Sequence, residues 1–154
     1  MIQKKFGAAG TSIVIEEMLE GSECSFIVIS DGTNIVPFLP ATDFKRRFDG
    51  DKGPNTGGMG CHAPVPAFTP ELQKMVMKKI VQPTIKGMAE DGTPFNGFLY
   101  AGLMLTKKGP FVLEYNVRMG DPEAEVILPL LKSNLSELLL ACTVPNGLRN
   151  IKAE

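Results

Sequence analysis

A chain of 154 residues with 44% hydrophobic side chains is long and apolar enough to bury the core of one domain, which excludes disorder by composition. Its formal charge of -1, from 16 basic and 17 acidic residues, excludes a global electrostatic pull toward nucleic acid or an anionic membrane. The three cysteines, Cys24, Cys61 and Cys142, lie far apart with no CxxC pair, so neither a zinc site nor a disulfide framework is expected and a reduced, intracellular setting fits.

Residues 1–10 carry two lysines with no apolar run behind them, unlike a secretory signal. The apolar stretches Val126 to Leu131 and Leu138 to Cys142 are far too short to span a bilayer. A soluble cytoplasmic protein is expected. Ser12 to Leu19 and Cys24 to Ser30, rich in Ile, Val and Phe, predict two strands with a turn at Glu20-Gly21-Ser22. Asp31-Gly32-Thr33-Asn34 is a hairpin signal leading into a third strand, Ile35 to Leu39. Residues 40–68 are rich in glycine and proline, hold the basic run Lys45-Arg46-Arg47 and lack periodicity, so a long functional loop or poorly packed linker is expected.

Thr69-Pro70-Glu71 opens a helix with a hydroxyl cap, a proline in the first turn and an acid at the positive dipole end. Leu72, Met75, Val76 and Ile80 continue at helical spacing. Pro83 is expected to kink or end that helix, and Gly92 to close the region. Phe98 to Leu105 and Phe111 to Val117 predict a second strand pair around Lys107-Lys108-Gly109-Pro110. Asp121-Pro122-Glu123 repeats the helix opening, Pro129 breaks that helix, and Ser133 caps a last one through Leu140. The mixture is α+β.

The densest chemistry lies in residues 111–118. Alternate residues of a strand share a face, so Glu114, Asn116 and Arg118 point one way, while Leu113, Tyr115 and Val117 face a core. A carboxylate and an amide oxygen two residues apart suit a hard cation, and a guanidinium one step on suits the anion that the cation neutralises. That row fits phosphoryl transfer, which is mostly positioning and charge stabilisation. An exposed polar strand face fits the spacing equally well.

Gly53-Pro-Asn-Thr-Gly-Gly-Met-Gly60 could bring backbone N–H groups close to a phosphate or oxyanion, with Lys45 and Arg46 upstream; a plain turn-rich loop is the competing reading. It matches neither a Walker A loop nor GxGxxG. Ile13 to Glu23 reads as a strand running into acids. Its end could present backbone groups to an adenine edge and a carboxylate to a ribose, but solvated acids explain it as well. Asp121 and Glu123 read first as helix-opening acids. His62 beside Cys61 has no second ligand pair, so neither a metal pair nor a nucleophile is expected there.

Taken together, Glu16-Glu-Met-Leu-Glu-Gly-Ser-Glu23, Asp43-Phe-Lys-Arg46, the glycine loop, Phe98-Leu-Tyr-Ala-Gly-Leu-Met104 and Leu113-Glu-Tyr-Asn-Val-Arg-Met-Gly-Asp-Pro-Glu123 occur in an order that resembles the phosphoribosylamine–glycine ligases of the ATP-grasp superfamily. The glycine loop and the Asn-x-Arg-x-Gly-Asp-Pro-Glu run carry most of that resemblance, which extends from about Phe6 to about Leu140.

The resemblance implies an ATP-grasp fold, here the C-terminal lobe, with a mostly antiparallel sheet and flanking helices. It implies ATP-dependent joining of glycine to 5-phosphoribosylamine through glycyl phosphate, with Mg²⁺ or Mn²⁺. Glu114 and Asn116 match the metal ligands. Glu16, Glu17 and Leu19 match the adenine-binding linker, and Glu23 the ribose-binding acid. Arg118 would stabilise the acyl phosphate and Lys45 would act beside the phosphates. Gly57, Gly58 and Asp121 would face substrate.

Phe44, Glu125 and the Cys61-His62 pair depart from the family pattern, none of them at the metal pair. Residues 1–154 are expected to form a partial ATP-grasp domain, with the N-terminal domain, first lobe and C-terminal domain absent and the missing N-terminal part a partner. Two alternatives stand beside this: another ATP-grasp carboxylate–amine ligase, or a non-catalytic nucleotide-binding module.

Overall fold

The computed structural model describes residues 7–154. A four-stranded antiparallel sheet of order β2-β1-β7-β8 forms its centre, from β1 (Ser22–Asp31), β2 (Ile35–Pro37), β7 (Asn96–Thr106) and β8 (Gly109–Asn116). Between them come β3 (Thr42–Asp43), β4 (Arg46–Phe48), β5 (Lys52–Asn55) and β6 (Cys61–His62). No helix is long and apolar enough to cross a membrane among the described residues.

Every residue of β1 from Cys24 to Asp31 is buried, because both faces of the sheet are covered. On one face Phe26, Val28, Leu99, Ala101 and Leu103 meet Val76, Val81 and Ile85 of the helical run 70–90. On the other, Ile27, Ile29 and Tyr100 meet Ile127, Leu138, Cys142 and Leu148. Strong hydrophobicity without alternation is what a central strand between two layers requires.

Several expected elements differ. Residues 12–20 form no strand: Val14, Ile15 and Met18 are more than four-fifths exposed at 86%, 86% and 89%. A β-prone sequence becomes a strand only beside a partner edge, and among the described residues none pairs with this segment. Residues 40–68 are not a loose linker, since β3 pairs with β6 and β4 with β5, and Val65 and Phe68 are buried. Pro83 does not end its helix. The chain runs from α1 (Pro70–Val76) through a π-helical segment (Met77–Val81) into α2 (Gln82–Glu90), and Gln82 N–H bonds to the Met77 carbonyl. That wider turn accommodates a residue lacking an N–H. The last helix, α4 (Leu135–Cys142), is capped by Asn134, whose Oδ1 accepts from Ser136 and Glu137, whereas Ser133 Oγ accepts from Glu154 N–H. The helix after Asp121 begins only at Glu123 (α3, Glu123–Ile127) and has no side-chain cap.

The Asp31 hairpin is anchored through its own carboxylate. It accepts from Thr33 N–H at 3.0 Å, Asn34 N–H at 2.7 Å and Leu148 N–H at 2.9 Å, which ties the turn to the C-terminal segment. Burial alone would raise its pKa, but these donors and the Asn34 amide outweigh it and hold the carboxyl below its ordinary value. A lowered carboxyl contributes stability that is present above the ordinary value and lost as pH falls through the folded one. Asp31→Ala is therefore expected to cost about 3 kcal/mol, because it strands buried donors. It should also lose less stability than the parent between neutral and acidic pH. Unfolding temperatures across that range check both.

Candidate functional site

The sheet lines up its chemistry across three strands. Ser25 on β1 pairs with Gly102 on β7, and Gly102 with Glu114 on β8; Tyr100 pairs with Asn116. Directly paired residues share a face. A Cβ on Gly102 would lie 3.0 Å from Glu114 Cγ and 3.4 Å from a Tyr100 ring carbon, so the missing side chain leaves room for Glu114. A cavity of about 170 Å³ opens there, lined by Glu23, Ser25, Asp43, Lys45, Tyr100 and Glu114 among others.

Glu114, Asn116 and Arg118 come together as strand spacing suggests. The Asn116 amide donates to Glu114 Oε1 at 3.3 Å, and Arg118 Nη2 approaches Asn116 Oδ1 at 3.5 Å while Nη1 donates to the Met119 carbonyl at 2.9 Å. Arg118 itself lies past the end of β8. The other face differs from expectation at Leu113. The register shifts between Gly102 and Leu103, whose partners are Glu114 and Val112, so Leu113 is bulged out and lines the cavity. Tyr115 reaches over the helical layer, its hydroxyl 2.9 Å from Thr84 Oγ1, and Val117 is 72% exposed.

The Glu114 and Asn116 side chains fit one Mg²⁺. They carry hard oxygen donors two residues apart on one strand, with the Asn116 amide nitrogen toward Glu114 and its oxygen toward Arg118 in this structure. Among the described residues no three His, Cys, Asp or Glu side chains cluster as a complete metal cage. Mg²⁺ characteristically takes one or two protein oxygens and completes its shell with phosphate and water.

Glu23 and Lys45 face each other at 3.4 Å on the cavity wall. Leu19 lines a neighbouring recess with Glu23, Lys45 and Arg46, while Glu17 and Leu19 border a second recess with Lys107, Lys108 and Phe111. Glu16 is exposed on the unpaired segment. In the glycine loop, Thr56 N–H bonds to Lys45 O, Gly58 N–H to Thr56 Oγ1 and Met59 N–H to Phe44 O. Much of its donor capacity therefore ties the loop to Phe44 and Lys45, between β3 and β4, and to its own Thr56, and is not free for an anion. Gly57 is open, whereas a Cβ on Gly58 would meet Pro122 Cδ at 2.8 Å and Asp43 Oδ1 at 3.0 Å. Asp121 is exposed. His62 stacks on Phe44 at 5.5 Å, and burial, followed by the charges of Glu123 and Asp43, pushes the Cys61 thiol up to about 11, far from a thiolate.

Sequence reasoning missed the buried polar cluster beneath the cavity. Glu123 is only 2% exposed, and its Oε1 accepts from Ser25 Oγ at 2.6 Å and Tyr100 OH at 2.8 Å. Burial pushes the Tyr100 phenol upward. Burial first, then the Glu123 charge, raise the Asp43 carboxyl. The available signal was a polar residue inside each of two apolar strand runs, Ser25 and Tyr100.

Residues 1–124 match the family model described as phosphoribosylglycinamide synthetase, ATP-grasp (A) domain. The chain is 51% identical over 149 residues to phosphoribosylamine–glycine ligase of Agrobacterium fabrum, covering 97% of this chain and 35% of the relative. It is 57% identical over 142 residues to the bifunctional purine biosynthetic protein ADE1 of Schizosaccharomyces pombe, covering 92% of this chain and 18% of that protein. The crystal structure of phosphoribosylamine–glycine ligase from Thermotoga maritima superposes with a TM-score of 0.75 at 39% identity, over 90% of this chain and 34% of that one. The fold is therefore ATP-grasp, and the chain spans about a third or less of the length of these relatives.

Proposed function

The chain belongs to the phosphoribosylglycinamide synthetase ATP-grasp family, and on that premise we propose that it forms one lobe of a cytoplasmic ligase. That ligase joins glycine to 5-phosphoribosylamine at the expense of ATP. The observation that carries this reading is the row Glu114, Asn116 and Arg118, each within 3.5 Å of the next, with Glu114 lining the cavity that also holds Glu23 and Lys45.

A glycine carboxylate oxygen attacks the γ-phosphorus of ATP, the bond to the bridging oxygen breaks, and ADP leaves. The amine nitrogen of phosphoribosylamine then attacks the carbonyl carbon of glycyl phosphate. Phosphate departs, the nitrogen loses a proton, and glycinamide ribonucleotide forms. Mg²⁺ or Mn²⁺, held by Glu114 and Asn116, would neutralise charge on the phosphate oxygens. Arg118, with its planar fork, holds the transferred phosphoryl or acyl phosphate. Lys45 adds a point charge near the phosphates, and Glu23 takes ribose hydroxyls. Backbone groups of Glu16, Glu17 and Leu19 read the adenine edge. Gly57, Gly58 and Asp121 border the acceptor side. The exposed Val14, Ile15 and Met18 suit pairing with a sheet edge supplied by the rest of the enzyme.

Phosphoryl transfer needs donor and acceptor held in line and screened from water, and the cavity here is open on one side. Chain 1–154 should therefore be assayed for ADP release and glycinamide ribonucleotide, alone and mixed with the remaining regions of the Agrobacterium fabrum relative as separate polypeptides. Product only on mixing is expected. Substantial product from the chain alone would defeat the one-lobe reading. No product on mixing, while the relative's own pieces complement each other, would defeat the ligase reading.

A further inference from the structure

Asp43 stands apart from the groups assigned so far. It is 8% exposed, and its Oδ1 is buried without a hydrogen-bond partner among the described residues. It lines the cavity that Glu114 borders. Lys45, whose charge acts on Asp43, is paired with Glu23 at 3.4 Å. Behind Asp43, the Glu123 carboxylate is held by Ser25 and Tyr100. Gly58 keeps the space beside the Asp43 carboxylate open, since a Cβ there would lie 3.0 and 3.3 Å from its two oxygens.

A desolvated carboxylate with an unmet acceptor is costly, so the donor that the protein does not supply has to come from what enters the cavity: water, an ion or a ligand. Burial first, then the charges of Glu123, Glu23 and Asp121, act against Asp43 ionising alone; Lys45 opposes them without reversing the upward shift, so a cationic donor is favoured over a neutral one. The cavity, about 170 Å³, suits a small group. The Glu123 Oε1 is already engaged by two hydroxyls, which leaves Asp43 as the unpartnered carboxylate of the pair, and a Mg²⁺ titration separates an ammonium from a metal ion at this oxygen.

We propose that Asp43, backed by Glu123, receives the primary ammonium group of the amino-acid substrate. The naming of that substrate rests on the ligase reading; the ammonium site itself does not. The amino acid then lies with its nitrogen at Asp43 and its carboxylate toward Glu114, Asn116 and Arg118. Kept protonated by the carboxylate, that nitrogen has no lone pair. It cannot compete with the incoming amine for the acyl phosphate.

The test is carboxyl-carbon NMR of the 154-residue chain, with methylammonium, glycine, acetate, ribose 5-phosphate and Mg²⁺ titrated separately at constant ionic strength. The Asp43 carboxyl signal is expected to shift saturably with methylammonium and glycine and to stay put with acetate. Asp43→Asn should abolish the methylammonium response in the other cavity signals. Glu123→Gln, which still accepts from Ser25 and Tyr100, should weaken binding about tenfold. Because its folded pKa is raised, ionised Asp43 costs stability that grows as pH rises above its ordinary value. Asp43→Asn should therefore melt higher than the parent at pH 7, by about 3 °C per kcal/mol relieved.

Equal binding by Asp43→Asn, or by Glu123→Gln, would overturn the proposal. So would an equal response to ribose 5-phosphate, which would make the ligand a hydroxyl donor, or displacement of methylammonium by Mg²⁺, which would make it a metal. Failure of Mg·ATP to bind the same sample while methylammonium still binds would count against the ligase reading and leave the ammonium site standing.

Discussion

Glu114→Ala in the reconstituted ligase is expected to lower turnover by about three orders of magnitude while leaving the fold intact. A bound cation contributes several kcal/mol of charge stabilisation in phosphoryl transfer, and each ~1.4 kcal/mol is tenfold in rate. In the proposed metal set Glu114 and Asn116 supply two protein oxygens, so removing the carboxylate would take away its charged half. The same side chain is exposed on an edge strand and donates nothing to either core layer. Its loss should change stability by no more than about 0.5 kcal/mol. Glu114→Gln separates charge from shape: it keeps the packing over Gly102 and should be nearly as impaired as alanine. Near-parental turnover of Glu114→Ala, with an unchanged melting temperature, would show that the cation is held elsewhere.

Arg118→Lys is expected to reduce turnover about tenfold to a hundredfold, with a smaller change in ATP affinity. The guanidinium is exposed just past β8, where Nη1 is braced on the Met119 carbonyl at 2.9 Å and Nη2 faces Asn116. Bracing presents the fork in one orientation, and a fork meets two oxygens of a phosphate or carboxylate at once. Lysine keeps the charge but offers a flexible point donor. Loss of a contact made mainly in the transition state lowers turnover and turnover over KM together, whereas loss of uniform binding raises KM alone. Steady-state kinetics on the lysine variant distinguish these. Normal turnover with poor ATP affinity would place Arg118 at the nucleotide instead.

Local rules were sufficient where neighbours in sequence settle the outcome. Thr69 caps the helix that Pro70 opens, its side chain accepting from Leu72 N–H at 3.2 Å. The Gly32 turn closes a hairpin, at φ +91°. Strand periodicity put Glu114 and Asn116 on one face, and the motif order carried the family. Contacts distant in sequence decided the rest. Residues 12–20 have strand composition but no partner edge, so their state depends on what lies beside them. The bulge at Leu113 is a mismatch between two strands and belongs to neither alone. Pro83 survives because the preceding turn widens, a response set by packing of the whole helical run. Glu123 reads in sequence as an exposed acid opening a helix, yet it is buried against Ser25 and Tyr100, 98 and 23 positions away. The burial and unmet acceptor of Asp43 likewise arise only when β3, the glycine loop and α3 meet. Spacing along a chain determines faces and caps; desolvation and charge coupling depend on every group within a few ångströms, and only the folded chain selects those neighbours.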